Sequence, residues 1–559
     1  MTKNSWTIKK AKDYYQIVRW GDGYFSINEK GELIVLPEGR PSDMSISLYE
    51  VLEEVLSQGI ELPVVFRFHD ILRSRVQNLN KVFKKTIARL KYQGTYRGVY
   101  PIKVNQMREV VEEILDAGER FHFGLEAGSK AELLSVLAYN SNSQALTILN
   151  GYKDEDYMRL AMLGRKLQRQ IIVVIEQFSE LKRLVRIARE MNVKPLIGFR
   201  AKMTSKSIGK WEKSSGEKAK FGLNTAEILH AIQYLRSEGL EKQVRLLHFH
   251  IGSQIPDIRA IRDAISEGAR IYAKLHHLGI PLEFFDVGGG LGIDYDGSRS
   301  MNDSSRNYSI EEYVHNILSS VQHICDMEKV PHPNIVTESG RALTAHHSCV
   351  ITQVIEEIEH ASLRVDTKEE EGEHPLVAQM RALSINSHKS LQAKYNDAQR
   401  LKDEVFHAFT LGLLSLEERA KMETLYWQIL ESIQKELPLL DRVPEELEEL
   451  PEQLSSKYLC NFSVFQSTAD VWAIRQVLPV TPIHRLTEAP TVQTSLVDIT
   501  CDSDGKIDQF VHEDGISSSI ALHELNEDPY YLGIFLTGAY QDVMGDMHNL
   551  FGRINEVHV

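Results

Sequence analysis

The chain is poor in cysteine, has no long apolar run and carries no excess of positive charge. Its four cysteines, Cys325, Cys349, Cys460 and Cys501, are scattered through 559 residues, which excludes a disulfide framework. None has the CxxC spacing of a zinc site, and such sparse usage suits a reducing compartment. No stretch approaches the roughly 18 continuous apolar residues that a membrane-spanning helix needs. The opening MTKNSWTIKKAKDYYQIVRWGDG has no apolar core, so no signal peptide is expected, and the weakly basic first ten residues are too short and irregular for a transit peptide. With 64 Lys and Arg against 78 Asp and Glu, the formal net charge is −14 and the pI about 5.9. That balance offers no general attraction to a phosphate backbone. The expected setting is the cytoplasm, with neither nucleic acid nor membrane as partner.

What is present is an ordinary globular composition, 42% apolar and 25% charged. The length exceeds the ~250–300 residues at which single cores stop growing, so at least two domains are expected. Residues 1–60 read as short strands and turns, a β segment that joins a β domain elsewhere. From 61 to 345, apolar strand-like runs recur: VVFRF (64–68), RGVYPIK, FHFGLEA, LTILNG, IIVVIE, PLIGFRA, RLLHFHIG, LEFFDVGG and NIVTESGR (334–341). Amphipathic helical stretches such as QMREVVEEILDAG separate most of them. Continuously apolar strands alternating with helices form a parallel sheet covered on both faces. About eight such units favour a (β/α)8 barrel over a doubly wound sheet. Residues 346–355 read as a linking strand. The charge-rich 356–456 segment reads as a helical insertion: Ser415-Leu-Glu-Glu418 is a capping box, and Met422, Leu425, Ile429 and Ile433 recur at helical spacing. Residues 457–559 return to β patterning. The expected fold is α/β plus all-β: a barrel, a C-terminal β domain and a helical insertion.

In the barrel segment, Lys103, Glu126, Arg200, His250, Asp286 and Glu338 each follow an apolar strand, where barrel active sites collect. Each also has an ordinary structural reading as a satisfied loop polar group. Lys103 ends YPIKVN, and a lysine becomes nucleophilic when burial or nearby charge frees its amine; otherwise it is a surface side chain. Asp286-Val-Gly-Gly-Gly-Leu-Gly292 is a strand followed by a glycine turn that lets backbone amides approach a phosphate, or simply a tight turn. His248-Phe-His250-Ile-Gly-Ser253-Gln254 would need a third ligand to bind metal, and His250 suits stacking on an aromatic cofactor equally well. Glu338-Ser-Gly-Arg341 sets a carboxylate for a protonated ring nitrogen beside a guanidinium for a phosphate. Asp498-Ile-Thr-Cys501-Asp502-Ser-Asp504-Gly505 pairs a thiol with carboxylates, or is an Asp/Gly turn. A lysine, a phosphate turn, a ring-nitrogen carboxylate and a stacking histidine together suggest pyridoxal phosphate, which forms a Schiff base with lysine and acts as an electron sink.

YPIKVNQ, GLEAGSKAEL, HFHIGSQI, DVGGGLGIDYDG, ESGRALTAHH, DITCDSDG and LTGAYQDVMGDMHNLFG closely resemble the biosynthetic arginine decarboxylases. These belong to the alanine-racemase-like group of pyridoxal-phosphate enzymes, with the ornithine and diaminopimelate decarboxylases. The resemblance runs from about Trp6 to the end of the chain. It implies that Lys103 carries the cofactor and His250 stacks on its ring, that Glu338 pairs with the ring nitrogen, and that Ser253, Gly288, Gly289, Gly290, Arg341 and Tyr540 hold the phosphate. It implies catalytic roles for Lys103, His250 and Cys501, and substrate contacts from Asp286, Cys501, Asp502 and Asp504, with Cys501 and Asp502 reaching a neighbouring subunit. A catalytic homodimer, a homotetramer and an unlocated Mg2+ are implied as well. The implied reaction is L-arginine to agmatine and CO2, in polyamine (putrescine and spermidine) synthesis. Another basic amino acid (ornithine, lysine or diaminopimelate) as substrate, or a non-catalytic regulatory homologue, are the competing readings. Two departures from the pattern stand out. Phe462 follows Asn461 where ornithine decarboxylases place an aspartate, which argues against ornithine. Family members also continue past HNLFG, so the β domain is expected to be short at its end.

Overall fold

Eight short strands close on themselves: β1 (Tyr96–Pro101), β2 (Gly124–Ala127), β3 (Leu146–Leu149), β4 (Gln170–Ile175), β5 (Leu196–Arg200), β6 (Val244–His248), β7 (Phe284–Asp286) and β8 (Asn334–Thr337). The computed structural model describes residues 6–40, 44–204, 220–359, 363–385, 389–440 and 442–559; the first five residues of the stretch read for targeting signals lie outside them. Every barrel pairing is parallel, in chain order, and β8 returns to β1. The two-residue strand period explains why the runs are apolar throughout. On β4, Ile172 and Val174 point inward and meet Val99, Leu146, Ile148, Leu246 and Val336, which fill the barrel. Ile171, Val173 and Ile175 point outward, into the core shared with the helices.

Helices ring the barrel, and polar caps start many of them. Ser129, Asp154, Asn224, Asp257 and Ser309 each accept a backbone N–H of the first turn, and such a cap contributes about 1 kcal/mol. The helix His69–Leu90 precedes β1 and packs against both Arg108–Gly118 and Ile310–Glu328, closing the ring where β8 has no helix of its own length.

The first apolar run of the 61–345 segment lies outside the barrel. Val64–Arg67 pairs antiparallel with Ser348–Ile358 and parallel with Asn555–His558, in a nine-stranded sheet. It reads like a barrel strand because all four of its residues are buried. Even Arg67 is wholly enclosed, its guanidinium bonded to Asp542 at 2.9 and 3.0 Å and to Glu556 at 3.0 Å. The long strand Ser348–Ile358 organises this sheet, taking Tyr530–Phe535 on one edge and Val64–Arg67, then Ser456–Cys460, on the other. The N-terminal strands 25–27, 33–35 and 46–47 form a small sheet tied to the C-terminal part by Leu33 N–H to Ile483 O and Leu486 N–H to Gly31 O.

In chain order, the helices Pro375–Ile385, Leu391–Thr410 and Leu416–Glu436 come between the strands Ser348–Ile358 and Ser456–Cys460 and have a core of their own. The Ser415 capping box forms: Ser415 Oγ accepts from Glu418 N–H, and the Glu418 carboxylate accepts from Ser415 N–H at 2.9 Å. Met422, Leu425, Ile429 and Ile433 all point into that core. Among the described residues, no helix is long and apolar enough to cross a membrane.

Candidate active site

Lys103 sits in a single 3-10 turn, Ile102–Val104, directly after β1. Its neighbours are buried and its side chain is half-exposed at the barrel mouth. Nζ lies 3.4 Å from Glu126 Oε2 at the end of β2. Glu126, outweighing burial and helped by Glu338, holds the Lys103 ammonium above the usual lysine range. The turn is fixed from outside the barrel: Tyr540 N–H donates to Val104 O at 2.8 Å. Asn105 Nδ2 reaches Asp542 Oδ2 at 2.9 Å, so Asp542 joins the Arg67 pair to the lysine turn.

Behind the lysine is a dense set of buried polar groups. Asn150, just past β3, donates through Nδ2 to Glu126 Oε1 at 3.1 Å and to Glu338 Oε1 at 2.8 Å. His248 Nδ1 lies 3.2 Å from Asp286 Oδ2 and 3.8 Å from Glu338 Oε1. Burial pushes the Asp286 carboxyl up to about 7 and lowers His248 to about 4. Glu338 is raised too, first by burial and then by the charge of Asp286. Glu126 Oε2 and Asp286 Oδ2 have no hydrogen-bond donor. His250, at the rim, is kept neutral by burial and by the nearby cations Arg200 and Lys103.

Asp286 has a place different from the one expected of a substrate contact. Its side chain is fully enclosed and Oδ1 accepts the Gly288 amide at 2.9 Å. It therefore braces the glycine turn and His248. Within that turn Gly288 has φ +67° and Gly290 φ +107°. A Cβ at Gly288 would lie 2.5 Å from Phe249 O, and one at Gly290 2.5 Å from Ile255 Cδ1. Only glycine fits both positions. Ser253 is half-buried in the facing loop, after Gly252 at φ +123°. Arg341 is buried beside them. Nη1 donates to Tyr295 OH at 2.9 Å, Cζ lies 4.7 Å from the Tyr540 ring centroid, and Nε has no acceptor.

Cys501, Asp502 and Asp504 lie elsewhere, on an exposed loop of the β domain. Buried Asp498 builds that loop by accepting from Thr500 N–H, Thr500 Oγ1 and Val464 N–H. Cys501 N–H donates to Asn549 Oδ1 at 3.0 Å, and Asn549 Nδ2 approaches Cys501 Sγ at 3.3 Å. Asp502 accepts from Asp504 N–H at 2.9 Å and faces His548 at 3.6 Å. Among the described residues, no hydrogen bond or ion pair joins these three to Lys103, Glu338 or Arg341.

Comparison with known proteins places this geometry. Residues 76–345 match the model for the pyridoxal binding domain of pyridoxal-dependent decarboxylases, and residues 370–451 match the arginine decarboxylase helical bundle domain. The biosynthetic arginine decarboxylase of Bacteroides thetaiotaomicron is 45% identical over 561 residues, covering 99% of this chain and 88% of that protein. The chain belongs to the biosynthetic arginine decarboxylase family. The Phocaeicola vulgatus member is 44% identical over 99% of this chain and 88% of its own length. The crystal structure of the Campylobacter jejuni biosynthetic arginine decarboxylase superposes with TM-score 0.84 at 31% identity, over 97% of this chain and 87% of that one. The family is one of pyridoxal-phosphate-dependent carboxy-lyases, as the barrel model states of its cofactor.

In this family member, three groups at the mouth were not singled out as site residues from sequence. Asn150 carries no charge and gives little signal, although its strand-end register matches that of Lys103. Tyr295 and Asp470, which lie 2.9 and 3.9 Å from Arg341, come from a loop and from the short helix Ala469–Ile474, neither long enough to show periodicity. The donor set for Mg2+ is also poor. Among the described residues, His248, Asp286 and Glu338 form the one cluster of metal-ligand type. It is fully buried and includes an imidazole, whereas Mg2+ takes near-octahedral oxygen ligands and retains waters. These residues do not fit the ion, and no step is assigned to it.

Proposed function

We propose that this chain converts L-arginine to agmatine and CO2 with pyridoxal phosphate, supplying polyamine synthesis from the cytoplasm. The observation that carries the reading is the convergence of Lys103, Glu126, Glu338 and Arg341 at one barrel mouth. The residues fit the cofactor. Oε2 of Glu126, whose close neighbour is the Lys103 ammonium, and Nε of Arg341 are buried without a hydrogen bond, and the glycine turn admits no Cβ at Gly288 or Gly290. Lys103 would bind the aldehyde carbon through Nζ, Glu338 the ring nitrogen and His250 the ring face. Ser253, Gly288 to Gly290, Arg341 and Tyr540 would hold the phosphate. When bound, the cofactor supplies an electron sink for the pair left on the α-carbon as CO2 departs.

The chain's own residues do the rest. Glu338, raised by burial, gains a cationic partner in the ring nitrogen and ionises against it, keeping that nitrogen protonated. Racemases of this fold place an arginine there, which leaves the ring neutral. Asn150 holds the Glu338 carboxylate in register with Glu126. Lys103 Nζ would hold the cofactor in the absence of substrate, and its ammonium would remain beside Glu126 at the mouth. Cys501 delivers a proton from Sγ to the α-carbon and regains one from solvent. Asp502 or Asp504 meets the guanidinium with paired carboxylate oxygens, a geometry that an ammonium does not require.

Cys501 acts on a second copy of the chain, making a homodimer the catalytic unit. Supporting this, Trp472, Met544, Met547 and Leu550 are exposed on the segments around the Cys501–Asn549 contact, as on a face awaiting cover. Phe462, a buried phenyl group, puts no carboxylate after Asn461 for an ornithine ammonium. All four cysteines are free thiols, in keeping with a reducing compartment. The test is a product assay with pyridoxal phosphate and L-arginine, ornithine, lysine or diaminopimelate. Equimolar agmatine and CO2 from arginine alone are expected. Turnover of another substrate in its place contradicts the assignment.

A further inference from the structure

A second polar cavity, of about 810 Å3, opens on the flank of the barrel between the N-terminal segment, the helix His69–Leu90 and the loop 294–312. None of the residues assigned to the mouth lines it. Its rim carries both signs, with Arg19, Lys81 and Arg299 against Asp70, Glu311 and Glu312. The buried residues of its lining are different. Trp20, Tyr24, Tyr308 and His346 present rings, and two enclosed guanidiniums, Arg75 and Arg306, stand among them.

Arg75 is bound on two sides, by Asp22 Oδ2 at 3.0 Å and by the carbonyl of Ala342. Asp294 Oδ1 is engaged by the Ser305 hydroxyl at 2.6 Å and the Arg299 amide at 3.3 Å, while its Oδ2 is buried without a donor. Arg306 is left over. It is 8% exposed, and no described residue accepts a hydrogen bond from it. The face of Tyr308 lies 5.9 Å from it, and the charges of Asp22 and Asp294 act on it without a hydrogen bond. A guanidinium taken out of water without an acceptor is strongly unfavourable, and its planar fork matches a carboxylate or a phosphate.

We propose that this cavity is a binding site for a small oxyanion, a phosphate or carboxylate group, held by Arg306 with Arg75 behind it. The site stands whether or not the decarboxylase chemistry does. It also abuts the glycine turn, since Tyr308 OH accepts from Gly292 N–H at 3.1 Å and Arg75 holds the carbonyl next to Arg341.

The test is isothermal titration calorimetry of the full chain with inorganic phosphate and, separately, with acetate. The protein is first loaded with pyridoxal phosphate and the unbound cofactor removed by desalting, so that neither anion reads the cofactor's own phosphate seat and no free phosphate ester competes. Saturable binding of at least one probe is expected, and the tighter of the two identifies the source chemistry. Arg306→Gln is expected to weaken it about tenfold or more. Gln77→Glu, on the half-buried cavity wall, tests the same site without removing the buried arginine and is expected to weaken it several-fold, with an unchanged melting temperature. No saturable heat with either probe overturns the site, as does an affinity that neither substitution alters.

Discussion

The barrel mouth and the Cys501 loop differ in how their polar groups are satisfied. At the mouth, carboxylates, imidazoles and a guanidinium are enclosed, and several of their atoms lack partners. In the loop, Asp498 is bonded by Thr500, Asp502 by the Asp504 amide and Asn549 by the Cys501 amide, and the Cys501 side chain remains exposed. The mouth is a receptor whose bonds are completed by a group the chain does not supply. The loop is a finished structure with a reactive tip and needs a surface to act upon. Burial tunes the first site, and association would build the second.

The largest effect is expected at the mouth. Lys103→Ala should cut kcat by about 10⁴-fold and remove the yellow absorbance of the cofactor-loaded protein. If colour and turnover survive, the lysine has no covalent role and the contrast fails. Next, Glu338→Gln should lower kcat by about 10²–10³-fold while the cofactor stays bound, because the ring nitrogen loses its charge partner. A large loss of cofactor affinity in place of rate would make Glu338 an anchor only.

The loop sharpens the comparison differently. Cys501→Ala should reduce kcat by about 10²-fold and leave cofactor absorbance unchanged. Mixing it with Lys103→Ala chains should restore part of the activity, since one mixed site keeps both residues. Failure of that rescue, with both variants folded and associated, would place Cys501 in its own chain's site or outside catalysis.

The smallest effect concerns stability. The Asp286 carboxyl is raised to about 7 by burial, so the folded chain holds its proton more tightly than the unfolded chain. This contribution is complete below about pH 4 and is lost as pH rises through 7. Asp286→Asn keeps an oxygen for the Gly288 amide and cannot ionise. Without cofactor, its stability relative to the parent should therefore improve from pH 5 to pH 8 by about 2 kcal/mol. Thermal melts across that range would show a constant difference if the carboxyl were already ionised at pH 5.

Much of this was legible in the sequence, for physical reasons. Parallel strands covered on both faces read as apolar runs, and the polar residue ending each run marks the mouth. That register exposes Lys103, Glu126, Arg200, His250, Asp286 and Glu338 together. The same rule misplaced Val64–Arg67, because a central strand of the β sheet is buried as completely as a barrel strand. Register also cannot tell a carboxylate facing substrate from one bracing a turn, so Asp286 needed coordinates. Tyr295, Asp470 and Arg306 meet their neighbours only through tertiary packing, which no local pattern announces.

Reduction of the cofactor-loaded protein with borohydride, followed by peptide mass mapping, is the most direct check on Lys103 as the anchor of the site. A pyridoxyl mass on the peptide containing Lys103, and on no other, is the predicted result. The label on a different lysine, or no label at all, would contradict it.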